Sequence, residues 1–384
     1  MDGIGKSDYI HHRLTLLASS IGMNIIADGW HYNIRLRLSQ TLTFFVLFLY
    51  VFNLQKFRND FNYLCYSTIL NAPIMGAVFR LYFWPSKYLI VQRLYESHRN
   101  LDQTNFHGKQ AKITEKFNYF INVLCTFIIF SLLSFGVALA ISPFLFSFIF
   151  NEQLEPPLPL YLVGIDVAST AGFIVNYIFQ VIICLIGITL YCFIQSLVVV
   201  FHASVAEQTE ILRATVRNIE QSILMNQRYR ILKEKFIALI ENHDKVLAYA
   251  RDLEVLMKYQ VLLDVTPFCI VTVIALYYAR VANWYPGYLF AISIIVIGFL
   301  NTALIEFTTI QNEKLHHEIY GTSWYTVDVK LQKMYLMLLM KTQKTQFFTI
   351  GGLRPVGMDL YLTFCESVYS YLILLNDLSS KFID

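Results

Sequence analysis

Long stretches without charge constrain the fold of this sequence more than any other feature. A helix needs about 20 apolar residues to cross the hydrocarbon core of a bilayer, and backbone exposed to lipid must form its hydrogen bonds internally. Six stretches meet this requirement: 38–55, 61–79, 117–151, 167–206, 259–279 (broken only by Asp264) and 281–305. A seventh, 360–376, is interrupted by Glu366 and is the weakest on hydropathy. The sequence therefore predicts an all-α membrane protein with seven transmembrane helices.

Composition supports a lipid environment. Hydrophobic residues make up 56% of the chain and charged residues 15%, whereas a soluble domain carries about 25% charge. The net charge of +3 is too small to indicate a nucleic-acid partner. Membrane lipid is the expected surrounding.

The distribution of basic residues predicts the orientation. If the N-terminus is cytosolic, 25 of the 30 lysines and arginines lie in cytosolic segments. Cytosolic loops carry such an excess, and the short loops, which count most, agree with the long one. We therefore expect a cytosolic N-terminus and an extracellular C-terminus.

These segments divide the chain into six parts. We expect a cytosolic N-terminal segment (1–34), transmembrane helices 1–4 (35–206), cytosolic helical extensions that form an anchor region (207–257), transmembrane helices 5 and 6 (258–310), a cytosolic half-helix and inter-subunit anchor (311–355) and transmembrane helix 7 (356–379).

The segment 207–257 is polar but has helical spacing. Its apolar stripe repeats every three or four residues, at Leu232, Phe236, Leu239, His243, Val246, Ala250, Leu253 and Met257. Helices 4 and 5 are therefore expected to continue into the cytosol and to turn near 225–227. A linker or a disordered loop is the alternative.

No chemical motif in the sequence indicates catalysis. The six cysteines are scattered, the paired histidines have no metal-ligand spacing, and phosphate-loop, Gly-x-Ser-x-Gly and His-Glu-x-x-His motifs are absent. We expect no metal, no cofactor and no enzymatic activity.

Charged residues in the membrane need an explanation because they are costly there. Arg80, Asp264 and Glu306 lie toward cytosolic helix ends, so we expect them to extend into the interface. Glu366 instead lies within helix 7, where a polar stripe suits a cation path with a hydrophobic constriction at Leu374. Packing between helices would explain the small residues of this stripe equally well. The stripe comprises Ser367, Ser370, Tyr371, Leu374, Asp377 and Leu378.

The outer halves of the helices offer aromatic and sparse polar residues. Such a set suits a pocket for a small hydrophobic ligand, although aromatics also serve as interfacial anchors. The candidate ligand-binding residues are Tyr66, Leu70, Ser131, Ser134, Phe135, Ala138, Phe173, Tyr177, Gln180, Tyr277 and Tyr278, with Asn176 as a further polar group.

The C-terminal segment 320–375 resembles the C-terminal signature of insect odorant receptors. The matching features are Tyr320 with Trp324 before an amphipathic half-helix, Gln343-Lys344, Gly351-Gly352, Pro355, and Tyr-Ser-Tyr at 369–371. Chain length, helix spacing and the long segment between helices 4 and 5 agree with that family.

This resemblance implies a ligand-gated, non-selective cation channel, a heterotetramer of odorant-tuned subunits and a common co-receptor in the plasma membrane of olfactory sensory neuron dendrites. It implies that helix 7 lines the pore, with Leu374 similar to the gate residue and Asp377 near the outer mouth. The half-helix 324–340 would lie at the subunit interface through Trp324, Leu331, Tyr335, Leu338 and Leu339. The co-receptor has a much longer internal loop, so this chain resembles a tuning subunit.

Other receptor classes fit less well. A G-protein-coupled receptor has the opposite orientation, and the chain lacks Asp/Glu-Arg-Tyr after helix 3 and Asn-Pro-x-x-Tyr in helix 7. A secondary transporter would show two related halves, which are absent. A gustatory receptor shares the architecture and is the nearer alternative.

Overall fold

The computed structural model describes residues 6–103, 108–150, 154, 156–167, 169–282, 286–343 and 348–383. These residues form helices and one two-stranded hairpin. The elements are α1 (Lys6–Ile21), α2 (Ile34–Lys56), α3 (Phe61–Ser86), α4 (Tyr88–Gln103), α5 (Lys109–Phe150), α6 (Thr170–Leu224), α7 (Tyr229–Val281), α8 (Pro286–Tyr320), a 3-10 turn (Trp324–Thr326), α9 (Val329–Thr342), β1 (Thr349–Ile350), β2 (Arg354–Pro355) and α10 (Met358–Ile383).

Seven of these helices are long and apolar enough to cross a membrane: α2, α3, α5, α6, α7, α8 and α10. They confirm the seven predicted transmembrane helices, including the weak last one. Local signals fix several starts, because Asn33, Asp60 and Ser169 each accept a backbone N–H of the first turn of α2, α3 and α6.

Helices α6 and α7 extend far beyond a membrane span. They have 55 and 53 residues, so each is about 80 Å long, against about 30 Å for a hydrocarbon core. Asn226 makes the turn between them with a φ of 49°, a left-handed conformation that Asn tolerates. We call this end of the bundle the hairpin end. The opposite end, which holds the α5–α6 connection, is the loop end.

The hairpin end has an apolar core of its own. All eight residues of the stripe in 207–257 named above are buried. Phe236 and Leu239 pack there with residues of α6, α8 and α9 in one cluster. The extensions are therefore joined by packing and do not form a loose linker.

A β-hairpin leads into α10, where the sequence indicated only a break. Gly351 and Gly352 have φ values of 59° and 80°, which a side chain would strain. The Glu254 carboxylate accepts the backbone N–H of Thr349 at 3.1 Å, and the Glu306 carboxylate accepts that of Met358 at 3.2 Å. Glu254 thus fixes the hairpin to α7, and Glu306 fixes the start of α10 to α8.

Candidate functional site

The connection between α5 and α6 folds back into the loop end of the bundle. Residues 156–160 are buried, and Leu158 and Leu160 share an apolar cluster with α2 and α3. Three of these five residues are prolines, which lack the N–H donors that burial would leave unpaired. The connection closes the space between these helices at the loop end.

Two amides of α6 hold this connection. The Gln180 side chain accepts the Leu158 N–H at 2.8 Å and donates to the Leu160 carbonyl at 2.7 Å. The Asn176 side chain accepts the Leu162 N–H at 2.9 Å. Because Gln180 and Asn176 are fully buried, their bonds to the connection form in a dry environment, where hydrogen bonds are strong.

Helices α2 and α3 hold the same connection from the other side. The Asn53 amide donates to the Tyr161 carbonyl at 2.9 Å, and the Tyr63 hydroxyl donates to the Pro159 carbonyl at 2.8 Å. Side chains from three transmembrane helices therefore position one short segment.

Aromatic residues lie beside this segment. The rings of Phe173 and Tyr177 stack with centroids 5.8 Å apart, and the Tyr177 hydroxyl donates to the Ala140 carbonyl at 2.9 Å. The ring of Phe144 meets Tyr177 edge to face at 5.3 Å. These contacts join α5 and α6 near the loop end.

The other half-buried candidates belong to α3 and α7. Leu70 packs against the cluster that includes the buried connection, and Tyr278 packs against Ile69 and its neighbours. Tyr66 and Tyr277 are also half-buried. Six of the eleven predicted ligand residues are thus half-buried: Tyr66, Leu70, Phe173, Tyr177, Tyr277 and Tyr278.

Four predicted ligand residues lie instead on the exposed surface of α5: Ser131, Ser134, Phe135 and Ala138. The hydroxyls of the two serines donate to carbonyls of their own helix, at 3.1 and 2.7 Å. Serine can satisfy itself in this way, so its presence in a span does not indicate a pocket. Gln180, the remaining candidate, uses its amide to hold the connection.

A buried ion pair crosses the middle of the bundle. The Arg80 guanidinium donates to the Asp264 carboxylate at 2.6 Å, and the Gln260 amide donates to the other carboxylate oxygen at 2.9 Å. Trp84 donates to Gln260 at 3.0 Å, and Arg80 lies 4.1 Å from the ring centroid of Tyr191. Arg80 is 2% exposed, so the expectation that it extends into the interface is wrong.

Glu306 also departs from that expectation. Its carboxylate turns inward to the start of α10, where it accepts the Met358 N–H. Sequence position alone suggested an interfacial end for this side chain, and it could not show that a helix begins within reach.

A cavity lies between α6, α7, α8 and α10, and we call it the inner cavity. Its volume is about 60 Å³, and none of the predicted ligand residues lines it. Asp264 supplies a carboxylate to its wall, and Gln195 donates to Asn301 across it. These residues come from three separate helices, so no local pattern in the sequence could have located the site.

Helix α10 is largely uncovered. Ser370, Tyr371, Leu374 and Asp377 are exposed, with Leu374 at 53%, and Ser367 is half-buried. Glu366, which the sequence singled out in this helix, is exposed; it lies four residues before Ser370 and extends the stripe toward the start of the helix. The side chain of Leu378 lies outside the described part of the structure.

Comparison with known families settles the class of protein. The sequence model of the family described as 7tm odorant receptor matches residues 60–369, which is most of the chain. The chain belongs to the odorant receptor family. With its seven spanning helices it is a membrane protein of that family.

Two relatives of the chain come from a fly and a mosquito. It is 22% identical over 234 residues to odorant receptor 30a of Drosophila melanogaster and 20% identical over 228 residues to odorant receptor 10 of Aedes albopictus. The matches cover 59% and 57% of this chain and only 61% and 60% of the two relatives.

Solved structures show the same fold. The olfactory receptor OR5 of Machilis hrabei matches with a TM-score of 0.75 and 13% identity, covering 96% of this chain and 99% of that one. The structure of the same protein in complex with eugenol matches with a TM-score of 0.76 and 12% identity, covering 98% and 99%.

The half-helix α9 presents two different faces in the receptor. Leu331, Tyr335 and Leu338 are buried in the hairpin-end core, so these predicted interface residues are not available to a partner. Their apolar character reflects packing inside one chain. Trp324 and Leu339 are half-buried. The opposite face exposes Val329, Leu336, Met337 and Met340.

Proposed function

We propose that this receptor is the odorant-tuned subunit of a ligand-gated, non-selective cation channel that works in a heterotetramer with an odorant receptor co-receptor. The uncovered stripe of α10 is the observation that carries the proposal. A carboxylate such as Glu366 is costly against lipid. In a shared pore it would face water and passing cations.

The chemistry of the stripe suits a cation path. Glu366 and Asp377 attract cations, Ser370 offers a hydroxyl between them, and Leu374 provides an apolar constriction. We infer that Leu374 is the gate and that Asp377 lies near the outer mouth. On this proposal the loop end lies outside the cell and the N-terminus in the cytosol, the orientation that the excess of basic residues favours.

The ligand is expected in the outer half of the bundle. Aromatic residues of α3, α6 and α7 surround this region, and the buried connection 156–162 covers it. Mostly apolar walls suit a small hydrophobic volatile. Eugenol, the ligand in the Machilis complex, has this character and serves as a first test compound.

Ligand binding opens the pore only if the ligand binds more tightly to the open arrangement. Helix α10 contacts α7 and α8, which also carry outer-half residues such as Tyr277. We infer that a shift of these helices on binding withdraws Leu374 from the pore axis. The exposed face of α9, with Val329, Leu336, Met337 and Met340, is the proposed contact between subunits.

Voltage-clamp recording tests this function. The chain is expressed with and without a co-receptor in the plasma membrane of a heterologous cell, and a panel of volatiles is applied with G-protein signalling blocked. We expect ligand-evoked cation currents only with the co-receptor. Silence toward every volatile, with the protein present at the cell surface, contradicts the proposal, and responses restricted to non-volatile tastants favour a gustatory-type receptor.

A pair of variants tests the ligand region. Tyr177→Phe removes the hydrogen bond to Ala140, and Tyr177→Ala also removes the ring. The control is Phe135→Ala, on the exposed face of α5. We expect Tyr177→Ala to raise the half-maximal odorant concentration about tenfold, a loss typical of one buried aromatic contact. An equal change in Phe135→Ala would place the ligand elsewhere.

A further inference from the structure

The inner cavity stands directly behind the helix that we propose to line the pore. Its wall is mostly apolar, with Val261, Val265 and Ile297 among the lining residues, and Asp264 is its charged group. Apolar walls with a few placed polar groups are typical of small-molecule sites. The cavity is separate from the proposed odorant region, because it shares no lining residue with the candidate set.

Asp264 can accept a further hydrogen bond from the cavity. Its two oxygens accept from Arg80 and Gln260, but each carboxylate oxygen has room for a second donor. The side chain keeps 18% of its surface exposed although it lies in a membrane-spanning helix. Because Arg80 already balances the charge, a neutral donor fits better than a cation, which would have to be desolvated without a counter-charge.

The volume limits the size of the occupant. An apolar cavity of about 150 Å³ binds benzene, so the 60 Å³ of the inner cavity suits an occupant of about two to three non-hydrogen atoms. We propose that the inner cavity is a second ligand site, which takes a short-chain alcohol of ethanol size. The hydroxyl donates to Asp264, and the hydrocarbon end lies against Val261 and Ile297.

Occupancy of this site would act on α10. Leu360, Tyr361 and Phe364 of α10 form one wall of the cavity. A bound alcohol therefore packs against the side of α10 that faces the cavity. The site therefore modulates gating, a consequence that rests on the proposed channel function, whereas binding itself does not.

A glycine pair provides a matched test. A Cβ added at Gly298 lies 3.7 Å from the Tyr361 ring, an ordinary contact, so Gly298→Ala narrows the cavity without displacing its wall. Gly187→Ala is the control, since a Cβ there meets nothing within 4 Å. Both substitutions are in helix interiors and change helix propensity equally.

Cysteine protection measures binding without channel activity. The full chain carrying Thr302→Cys in the cavity wall is purified in lipid nanodiscs, and methylation of this cysteine by iodomethane, a reagent of about the size of ethanol, is followed by peptide mass spectrometry. Thr363→Cys on the exposed face of α10 is the reference. Val261→Cys gives the same readout if the yield of the first variant is low.

We expect ethanol to slow modification in the cavity and to leave the reference rate unchanged. Its isomer dimethyl ether, which cannot donate, should not protect. Protection should weaken beyond three carbons, whereas an effect of partition into lipid would grow about fourfold with each added CH₂. Gly298→Ala should raise the ethanol concentration needed for half-maximal protection about tenfold, and Gly187→Ala should leave it unchanged.

Three results overturn the site: no protection by any alcohol, equal protection by the ether, or equal protection in the two glycine variants. If no alcohol protects the cysteine, water alone fills the cavity. Odorant-evoked currents recorded with ethanol provide the channel readout, which we expect to change in Gly187→Ala and not in Gly298→Ala. If ethanol protects the cysteine but no variant gives an odorant-evoked current, the proposed channel function is contradicted and the alcohol site is not.

Discussion

Helices α3 and α10 both carry ionisable side chains into the membrane, and they accommodate them in opposite ways. Arg80 of α3 is buried and paired with Asp264 inside the chain, whereas Glu366 of α10 stands on an exposed face. A charge is costly in hydrocarbon in either case. An ionisable residue in a span can therefore stabilise its own chain, as Arg80 does, or lie on a surface that its own chain leaves uncovered, as Glu366 does.

The largest effect is expected from Arg80→Gln. It leaves the Asp264 carboxylate buried without its counter-charge, which costs about 3–5 kcal/mol of stability. We expect little folded protein in detergent, measured by size-exclusion yield and thermal unfolding, and no odorant current because the protein is absent from the cell surface.

Arg93→Gln is the control for this loss. Arg93 pairs with Asp252 at 3.3 Å but is 63% exposed, so its ion pair contributes about 0–1 kcal/mol. A similar loss in both variants would mean that removing any arginine is harmful and that burial of the Arg80 pair is not the cause.

Gln180→Leu extends the comparison to an uncharged polar group that is satisfied within the chain. It leaves the Leu158 N–H and the Leu160 carbonyl without their hydrogen-bond partner. Each unsatisfied group lowers the free energy of unfolding by about 1–3 kcal/mol. We expect faster hydrogen exchange across 156–162 and a lower unfolding temperature. Tyr63→Phe, which removes one bond to the same segment, should have a smaller effect. Exchange rates that match wild type in both variants would show that packing alone holds the segment.

Glu366→Gln tests the other half of the comparison. Because this carboxylate has no role in packing the chain, we expect unchanged unfolding temperature and a change of about twofold to fivefold in the relative permeability to divalent cations. Asp377→Asn should change permeation in the same direction. Glu241→Gln, an exposed acid at the hairpin end, is the control. Reversal potentials that match the control would remove Glu366 from the cation path.

The comparison also separates what the sequence could predict from what it could not. Spans and the hairpin of α6 and α7 follow from periodic hydrophobicity, which is a local property. The partner of Arg80 lies 184 positions away, so position near a helix end could not distinguish an interfacial arginine from a buried one.

Candidate sites show the same limit. The apolar stripe of α9 correctly indicates a covered face, but Leu331 and Leu338 are covered by their own chain. Periodicity reports that a face is buried and does not report which molecule buries it. Likewise, Ser131 and Ser134 satisfy their hydroxyls on their own helix, so residue type alone placed them in a pocket that the fold does not build around them.

The smallest effect is expected at Tyr335, a polar group satisfied inside the chain at the hairpin end. Its hydroxyl donates to the Ile319 carbonyl at 3.0 Å and lies 2.5 Å from the Thr322 hydroxyl, so Tyr335→Phe should cost about 1 kcal/mol. Tyr325→Phe, whose ring is 67% exposed, should cost nothing measurable.

Alkaline pH distinguishes this hydroxyl from general packing. Burial raises the pKa of Tyr335 from 10.0 to about 12, so the folded state favours the neutral phenol. Its contribution is complete below pH 10, where the phenol is neutral in both states, and is lost as pH rises toward 12. The difference in unfolding temperature between wild type and Tyr335→Phe should therefore be constant up to about pH 10 and shrink above it. A difference that stays constant throughout would show that the pKa of Tyr335 is the same in the folded and unfolded states, so that burial does not favour the neutral phenol.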